Sequence, residues 1–264
     1  MILKIGEIKY ANLYPVYETL RRHFDCSRYE FVQGVPSDLN RMLRAGAVDI
    51  SASSSVEYLL HRDVYDYMPG HSISARGAVH SIILFSKHPL GALDHKKIAV
   101  TSDSDTSFLL LRVLLEHFER KTPEYIRTTA PLADVMATCD ACLLIGDAAL
   151  RESAADNGLR MYDLGALWTD RTALPFVFAL WTVRKDLPPE KNRLVTAFAD
   201  NIRRAGYMMK FDFRSLARTA PQTSWMGSER LIEYWRQLSY DLTPEHLNGM
   251  ELFNTLIDTL TSTK

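Results

Sequence analysis

Two short runs of hydroxyl-bearing residues lie at points where a strand pattern gives way to a helix pattern. The first belongs to the stretch VDISASSSVEYLL, residues 48–60, and the second to KIAVTSDSDTSFLLL, residues 97–111. A strand that leads through such residues into a helix brings together backbone N–H groups, hydroxyl donors and the positive end of the helix dipole. This combination binds carboxylates and phosphates, although Ser, Thr and Asp are also the preferred helix caps. Two such junctions favour a ligand with two anionic ends, or one small ligand held from two sides.

Strand and helix patterns alternate around these two stretches, and an almost wholly helical tail follows at residues 188–261. Such alternation predicts α/β architecture, with parallel-type sheets and helices on both faces. The predicted strands are residues 2–8, 30–33, 48–51, 80–86, 97–100, 125–128, 141–145 and 176–183. The predicted helices before the tail are residues 15–24, 36–45, 55–61, 107–120, 132–137 and 147–155.

The alternating pattern occurs twice, which predicts two α/β lobes joined by two crossings of the chain. We expect lobe 1 to contain residues 1–87 and 182–264, including the helical tail, and lobe 2 to contain residues 88–181. Ligands of such sheets bind beyond the carboxyl ends of the strands, and each lobe carries one hydroxyl run at such an end. The expected ligand site is therefore a cleft between the lobes.

Composition excludes several classes of partner. The 264 residues are 47% hydrophobic and carry a net charge of −1. The basic residues are scattered along the sequence, so it predicts no basic patch that would bind nucleic acid or an anionic membrane. No apolar stretch is long enough to cross a bilayer, and residues 1–6 have a strand pattern where a signal peptide would be charged and then apolar. We expect a cytoplasmic protein without an obligate protein partner.

Metal and cofactor motifs are missing from the sequence. The twelve glycines form no dinucleotide or P-loop motif, and the eight histidines form no metal-ligand pattern. Cys139 and Cys142 form a C-x-x-C motif, which occurs in redox-active cysteine pairs and in zinc sites. This pair precedes and enters an apolar strand, and the chain has no second pair, so we expect buried, inert thiols. We expect neither a metal nor a cofactor.

Four further residues lie at predicted strand ends. Asn12 joins the first strand to the first helix, where its amide either contacts a ligand or forms a turn or cap. Ser81 begins a strand and is expected to face the ligand, whereas its neighbour His80 is expected to be structural. Gly146 permits close backbone approach, and Asp147 either caps the following helix or contacts a substrate hydroxyl.

Six segments in series resemble the chorismate dehydratase family of the futalosine route to menaquinone. This resemblance implies a two-lobe fold of the periplasmic-binding-protein type II class, used as a cytoplasmic enzyme. The family often has Gly where Ala173 stands and Pro near Ser53 or Ser54. The matching segments are IKYANLYP (8–15), GAVDISASSSVEY (46–58), ARGAVHSIILFSK (75–87), SDTSFLLL (104–111), LLIGDAAL (143–150) and DLGALWTDRTALPFVFALW (163–181).

The resemblance implies a hydro-lyase that converts chorismate to 3-[(1-carboxyvinyl)oxy]benzoate and water. Chorismate has two carboxylates, which suits two anion-binding junctions, and the loss of water makes its ring aromatic. Asn12 is expected to polarise the departing hydroxyl, and Asp147 to contact the ring hydroxyl. The substrate's own enolpyruvyl carboxylate is expected to take the proton. The residues expected to bind the substrate are Ser53, Ser54, Ser55, Ser81, Thr106, Ser107 and Gly146.

Two other functions stay open. A sister family of the same pathway resembles this chain but carries His where Gly146 stands, which favours the dehydratase branch. A small-anion sensor with the same two-lobe fold would bind the ligand without converting it.

Overall fold

The computed structural model describes residues 1–262 and divides the chain into two compact units. Unit 1 contains residues 1–74 and 178–243, and unit 2 contains residues 75–177 and the C-terminal helix from residue 244. The division expected from the sequence differs at its boundaries. The strand near residue 85 pairs within the second sheet, and the last helix belongs to unit 2, so the chain passes between the units three times.

The strands and helices predicted in the first two thirds of the chain are present, together with two strands and one helix that were not predicted. The first are β1 (Leu3–Glu7), α1 (Tyr14–His23), β2 (Tyr29–Gln33), α2 (Pro36–Arg44), β3 (Ile50–Ser54), α3 (Ser55–Leu60) and β4 (Tyr65–Ala75). Then follow β5 (Ile82–Ser86), β6 (Lys97–Thr101), α4 (Asp105–Arg112), β7 (Glu124–Thr128), α5 (Leu132–Val135), β8 (Ala141–Ile145), α6 (Gly146–Glu152), β9 (Arg160–Asp163) and α7 (Leu164–Thr172). The last are β10 (Phe176–Arg184), α8 (Pro189–Thr219), α9 (Thr223–Met226), α10 (Ser228–Gln237) and α11 (Pro244–Ser262). The elements that were not predicted are β4, β9 and α7.

The sheet of unit 1 has the strand order β2-β1-β3-β10-β4. β1 runs parallel to both β2 and β3, with Gly6 opposite Ser51, so β1 and β3 end at the same edge of the sheet. β10 runs antiparallel to β3, with Ala179 opposite Ser54. The expectation of a parallel-type sheet was therefore wrong for β10, because the chain re-enters this sheet from unit 2 in the opposite direction.

The sheet of unit 2 has the strand order β7-β6-β8-β5-β9 and is also mixed. β6 runs parallel to β7 and β8, whereas β5 runs antiparallel to β8 and β9. Ile82 lies opposite Ile145, so the first residue of β5 lies beside the last residue of β8. The start of β5 and the ends of β6 and β8 thus share one edge of the sheet.

The first hydroxyl run was expected to follow its strand, but most of it lies within β3. Ser51 to Ser54 all pair with β10, Ser51 also pairs with Gly6 of β1, and all four residues are buried. The close packing explains the glycine at position 6, because a Cβ atom there would lie 2.6 Å from the Ser51 Oγ. Only Ser55 belongs to the following helix.

Aromatic side chains build the centre of each unit. In unit 1, the Trp181 ring lies 5.7 Å from that of Tyr17 and 5.3 Å from that of Phe198. In unit 2, the Phe176 ring lies 5.2 Å from that of Trp168 and 4.8 Å from that of Phe253. The sequence predicted packing of the helical tail on lobe 1, whereas α11 packs in unit 2 through Phe253.

Three further expectations concern the helices and cysteines. The helix predicted to run from residue 107 begins at Asp105, and α4 continues into a π-helical segment, Val113–Phe118. Cys139 and Cys142 are buried free thiols, as expected, and burial raises the pKa of Cys142 to about 12. No helix within residues 1–262 has the length and hydropathy needed to cross a membrane.

Candidate active site

One edge of the unit 1 sheet brings together four of the predicted site residues. The loop that carries Asn12 follows β1, Ser53 and Ser54 end β3, and Ser55 begins α3. Because β1 and β3 are parallel neighbours, their carboxyl ends lie side by side. The strand order, which the sequence did not reveal, therefore assembles these residues at one edge.

The three serines at this edge differ in their hydrogen bonding. The Ser54 Oγ accepts the N–H of Glu57 at 3.4 Å and the side-chain amide of Asn40 at 3.3 Å, so Ser54 is the N-cap of α3. The hydroxyls of Ser53 and Ser55, 1% and 0% exposed, have no partner within residues 1–262. Buried polar groups are nearly always hydrogen-bonded, so these two hydroxyls are the ones suited to a ligand.

The Asn12 loop is held by two side chains that follow α8. The Trp235 indole N–H donates to the Ala11 carbonyl at 2.7 Å, and the Tyr240 hydroxyl donates to the Asn12 carbonyl at 2.7 Å. The Asn12 amide oxygen Oδ1 is buried and has no protein partner in the described part of the chain. Leu13 occupies the N-cap position of α1, so the capping alternative for Asn12 was wrong.

One edge of the unit 2 sheet brings together the other five predicted residues. Thr106 and Ser107 follow β6, Gly146 and Asp147 follow β8, and Ser81 precedes β5. The Gly146 N–H donates to the Ser81 carbonyl at 2.7 Å, which joins two of these loops directly. The mixed topology, in which β5 is antiparallel, is what places Ser81 beside Gly146.

The start of α4 combines a cap with a buried hydroxyl pair. Ser104 is the N-cap, and its Oγ accepts the Ser107 N–H at 3.2 Å and lies 3.1 Å from the Ser107 Oγ. Thr106 and Ser107 lie in the first turn and are 1% and 2% exposed. Arg127 donates to the Thr101 carbonyl at 3.0 Å and pairs with the Asp105 carboxylate at 2.9 Å, which offsets its charge. The positive end of the helix favours an anion at this position.

The junction between β8 and α6 requires glycine. Gly146 has a φ of +58°, a conformation that favours glycine, and its expected close approach to a ligand stays a prediction. Ile145 occupies the N-cap position of α6 and the half-buried Asp147 lies in the first turn, so the capping alternative for Asp147 was wrong.

Asp163 holds the loop that leads to Ser81, a role that the sequence did not reveal. Its carboxylate accepts the N–H groups of Val79 at 3.0 Å and His80 at 2.6 Å, and also caps α7 through Ala166 at 3.0 Å. His80 has a φ of +60°, a rare conformation that these bonds maintain. The expectation that His80 is structural agrees with its position in this clamped loop.

Glu7 is a second residue that sequence reasoning missed. It is the last residue of β1 and is 5% exposed, with one carboxylate oxygen accepting a hydrogen bond from Arg21 at 2.6 Å. Its other oxygen, Oε2, has no partner within residues 1–262 and Glu7 lines a cavity of about 410 Å³ together with Lys9 and Tyr14. No local pattern marked this residue, because its role depends on the contact with Arg21 from α1.

Tyr17 lines the same cavity and stays protonated. Burial, reinforced by the neighbouring Glu7 carboxylate, raises the pKa of Tyr17 above its ordinary range. Its hydroxyl donates to the Gly6 carbonyl at 2.9 Å, which ties α1 to β1. Among residues 1–262, no group of three or more His, Cys, Asp or Glu side chains is arranged to hold a metal ion.

A family model described as menaquinone biosynthesis matches residues 3–258. The chain belongs to this menaquinone biosynthesis family. Members of known name include the chorismate dehydratase of Thermus thermophilus, 36% identical over 203 residues that cover 71% of this chain and 72% of the relative. The chorismate dehydratase of Campylobacter jejuni is 30% identical over 66% of this chain and 64% of its own length. A Thermus thermophilus protein named 1,4-dihydroxy-6-naphtoate synthase is 27% identical over 63% of this chain and 58% of its own length.

Solved structures show that this member of the menaquinone biosynthesis family has the periplasmic-binding-protein fold. A protein of Archaeoglobus fulgidus has a TM-score of 0.81 at 19% identity, over 98% of this chain and 97% of its own. The periplasmic aliphatic sulphonate binding protein of Escherichia coli has a TM-score of 0.70 at 14% identity, over 99% and 87%. These likenesses confirm the fold class that the sequence resemblance implied.

Proposed function

We propose that this protein is a chorismate dehydratase, a hydro-lyase that converts chorismate to 3-[(1-carboxyvinyl)oxy]benzoate and water in the futalosine route. The observation that carries the proposal is the 36% identity to the Thermus thermophilus chorismate dehydratase over 71% of this chain. The two sheet edges support it, because they supply hydroxyl, amide and backbone N–H donors suited to an anionic substrate. A cytoplasmic location remains a prediction from the sequence.

The proposed binding roles follow the hydrogen bonds at the two edges. In unit 2, Thr106 and Ser107 bind one carboxylate of chorismate at the start of α4, where the helix dipole favours negative charge. In unit 1, the unpartnered hydroxyls of Ser53 and Ser55 donate to another oxygen of the substrate. Ser81, Gly146 and Ser54 complete the predicted set, with Ser54 acting through its cap of α3.

The proposed reaction needs orientation more than strong acid or base groups. A neighbouring ring C–H bond breaks and its electron pair forms the new ring double bond, while the ring C–O bond breaks and the hydroxyl takes up the released proton and leaves as water. The Asn12 amide polarises the departing hydroxyl, Asp147 contacts it, and the substrate's own enolpyruvyl carboxylate takes the ring proton. Aromatisation drives the reaction, so the protein contributes positioning and charge stabilisation.

A single assay tests the proposal. Purified protein is mixed with chorismate, the loss of the diene absorbance is followed, and the products are separated and identified by mass. The proposal expects loss of the diene together with one aromatic acid that has lost one water. A protein-free sample corrects for spontaneous decay. Chorismate that stays intact in the presence of folded protein would refute the proposal.

Two alternatives are distinguished by the same assay. Saturable binding of chorismate without loss of the diene would indicate a sensor. Neither binding nor loss would direct attention to substrates of the sister enzyme, since the 1,4-dihydroxy-6-naphtoate synthase of Thermus thermophilus is 27% identical to this chain. Gly146 stands where that sister family is expected to carry a His, which favours the dehydratase.

A further inference from the structure

A separate cavity of about 500 Å³ lies in unit 1 between β4, α8 and the segment after α10. None of the residues assigned to chorismate lines it. Its wall includes His71 from β4, Arg203, Gly206 and Lys210 from α8, and Tyr240 and Asp241 from the segment after α10. Positions 203, 206 and 210 share one face of α8, because they are three and four residues apart.

His71 presents a hydrogen-bond donor to this cavity. The imidazole is 4% exposed, and its Nδ1 accepts the Trp181 indole N–H at 2.9 Å. An indole N–H can only donate, so Nδ1 carries no proton and the neutral ring is protonated at Nε2. Burial lowers the pKa of His71 to about 4, which keeps the ring neutral at pH 7. The Nε2–H has no acceptor within residues 1–262.

Gly206 lets α8 pack close to this edge of the imidazole, where the Nε2 is buried. A Cβ atom at position 206 would lie 3.2 Å from both the Nε2 and the Cδ2 of His71. A side chain at this position of α8 would therefore fill the space beside the donor. A glycine in the interior of a 31-residue helix is otherwise unfavourable, so this close approach gives it a structural reason.

The charges around the cavity favour an anion. Arg203, Arg204 and Lys210 line it together with the carboxylate of Asp241, and Arg203 also forms an exposed pair with Asp200 at 3.2 Å. Lys210 and Asp241 are 3.4 Å apart and exposed, and surface pairs of this kind are weak, so the ammonium remains able to bind a ligand. A positive rim above a buried N–H donor is the arrangement that a carboxylate requires.

We propose that this cavity is a second binding site of the protein, for a small carboxylate with an aromatic body. The His71 Nε2–H donates to the carboxylate, Arg203 and Lys210 supply charge, and Tyr240 and Tyr207 contact the ring. Tyr240 also connects this site to the proposed active site, since its hydroxyl donates to the Asn12 carbonyl at 2.7 Å. An occupant that moves Tyr240 therefore changes the position of Asn12. The resulting change in chorismate turnover rests on the proposed function.

Benzoate is the probe that tests the site, because it combines one carboxylate with one ring. Binding is measured by calorimetry and by the NMR shifts of the Trp181 indole N–H. We expect saturable binding, weakened about fivefold by Arg203→Ala or Lys210→Ala, the upper effect of one exposed charge pair. Arg214→Ala, an exposed arginine on α8 that does not line the cavity, is the matched control and should leave binding unchanged.

Gly206→Ala separates this site from the active site. The added Cβ fills the space beside the His71 N–H, so benzoate binding should be lost, and the unfolding midpoint of the variant shows that it is folded. Ser107→Ala should leave benzoate binding intact. Binding that survives Gly206→Ala but is lost in Ser107→Ala would place benzoate on the chorismate residues and overturn the proposal, as would the absence of any binding.

Chorismate kinetics in the presence of benzoate test the second site separately from the proposed function. Benzoate at the second site should change kcat for chorismate with little change in KM, whereas competition at the active site raises KM alone. A protein that binds benzoate as described but does not convert chorismate would refute the proposed function and leave the second site standing. A purely competitive pattern would refute the link through Tyr240.

Discussion

Three adjacent serines at the end of β3 show how hydrogen bonding separates structural from functional hydroxyls. Ser54 has two protein partners, whereas Ser53 and Ser55 have none in the described chain. We therefore expect Ser54→Ala to lower the free energy of unfolding by about 0.5–2 kcal/mol, the usual effect of losing an N-cap. Chemical denaturation of the purified variant measures this change.

The neighbouring hydroxyls should behave in the opposite way. Ser53→Ala and Ser55→Ala remove buried groups without protein partners, so the free energy of unfolding should be unchanged or slightly higher. Both variants should raise KM for chorismate, because a substrate hydrogen bond is lost. A destabilised Ser55→Ala protein with unchanged KM would show that Ser55 is a structural residue.

The Asn12 amide can be removed without disturbing the loop that carries it. Its backbone is held by Tyr240, so Asn12→Ala should leave the loop in place while removing the amide that faces the substrate. We expect kcat to fall about 10²-fold or more, as for the loss of one positioned donor in an oxyanion-type site.

Asn157→Ala is the matched control, since this asparagine donates to the Glu152 carbonyl in a loop of unit 2. Steady-state turnover of chorismate and the unfolding midpoint are measured for both variants. Unchanged turnover in folded Asn12→Ala would remove Asn12 from the mechanism.

At the scale of elements, the start of α7 acts as a clamp for the loop before β5. Besides the Asp163 carboxylate, the backbone of α7 lies very close to this loop, because a Cβ atom at Gly165 would be 2.7 Å from the Gly77 carbonyl oxygen. Gly165→Ala must push the loop away, so we expect a loss of about 1–3 kcal/mol in the free energy of unfolding, typical of overpacking.

The same change should reduce kcat/KM, because the loop also sets the position of Ser81. Gly91→Ala is the matched control, since a Cβ there meets no atom within 4 Å. Both are compared by thermal unfolding and chorismate turnover. Equal stability of the two variants would contradict the clamp.

The elements also show which parts of the fold could be predicted from the sequence. Strands and helices with regular apolar periodicity, such as β1, α1 and β6, were found with small errors at their ends. β4 was missed because Pro69 and Gly70 interrupt it, residues that edge strands tolerate, and β4 is an edge strand. β3 was partly mistaken for a loop because its buried residues are serines.

The site residues were predictable to the extent that they follow strand ends. Asn12, Thr106 and Gly146 were selected because a strand precedes each of them and ligands of α/β sheets bind at such ends, and their role in binding stays a prediction. Glu7 and Asp163 were missed because their importance depends on contacts with residues 14 and 83 or 84 positions away in the sequence. Such tertiary hydrogen bonds leave no local pattern.

At the scale of the whole molecule, each unit presents hydroxyl and backbone donors at one edge of a mixed sheet. The fold is that of periplasmic binding proteins. An enzyme for a reaction driven by aromatisation needs to add little beyond orientation and charge stabilisation. This explains how the menaquinone biosynthesis family can use the fold for chemistry without a metal-binding motif in the sequence.

The stability of the whole chain should respond to acid through His71. Burial lowers the pKa of this ring to about 4, with Asp241 opposing and Lys210 reinforcing the shift, whereas an unfolded histidine has a pKa of about 6.5. Between these values the unfolded chain binds a proton that the folded chain does not. The free energy of unfolding should therefore be unaffected by His71 above pH 6.5 and fall by about 3 kcal/mol as the pH decreases to 4.

His71→Gln isolates this contribution from that of the carboxylates. The glutamine oxygen can accept the Trp181 N–H but does not titrate, so the variant should lose less stability than the parent protein between pH 6.5 and 4. Urea unfolding at a series of pH values measures both curves, and NMR titration of the imidazole locates its pKa directly. Parallel curves for the two proteins, or an imidazole that titrates near 6.5 in the folded state, would show that His71 is not a buried neutral ring. The cavity beside Gly206 would then lose the neutral donor on which its preference for a carboxylate depends.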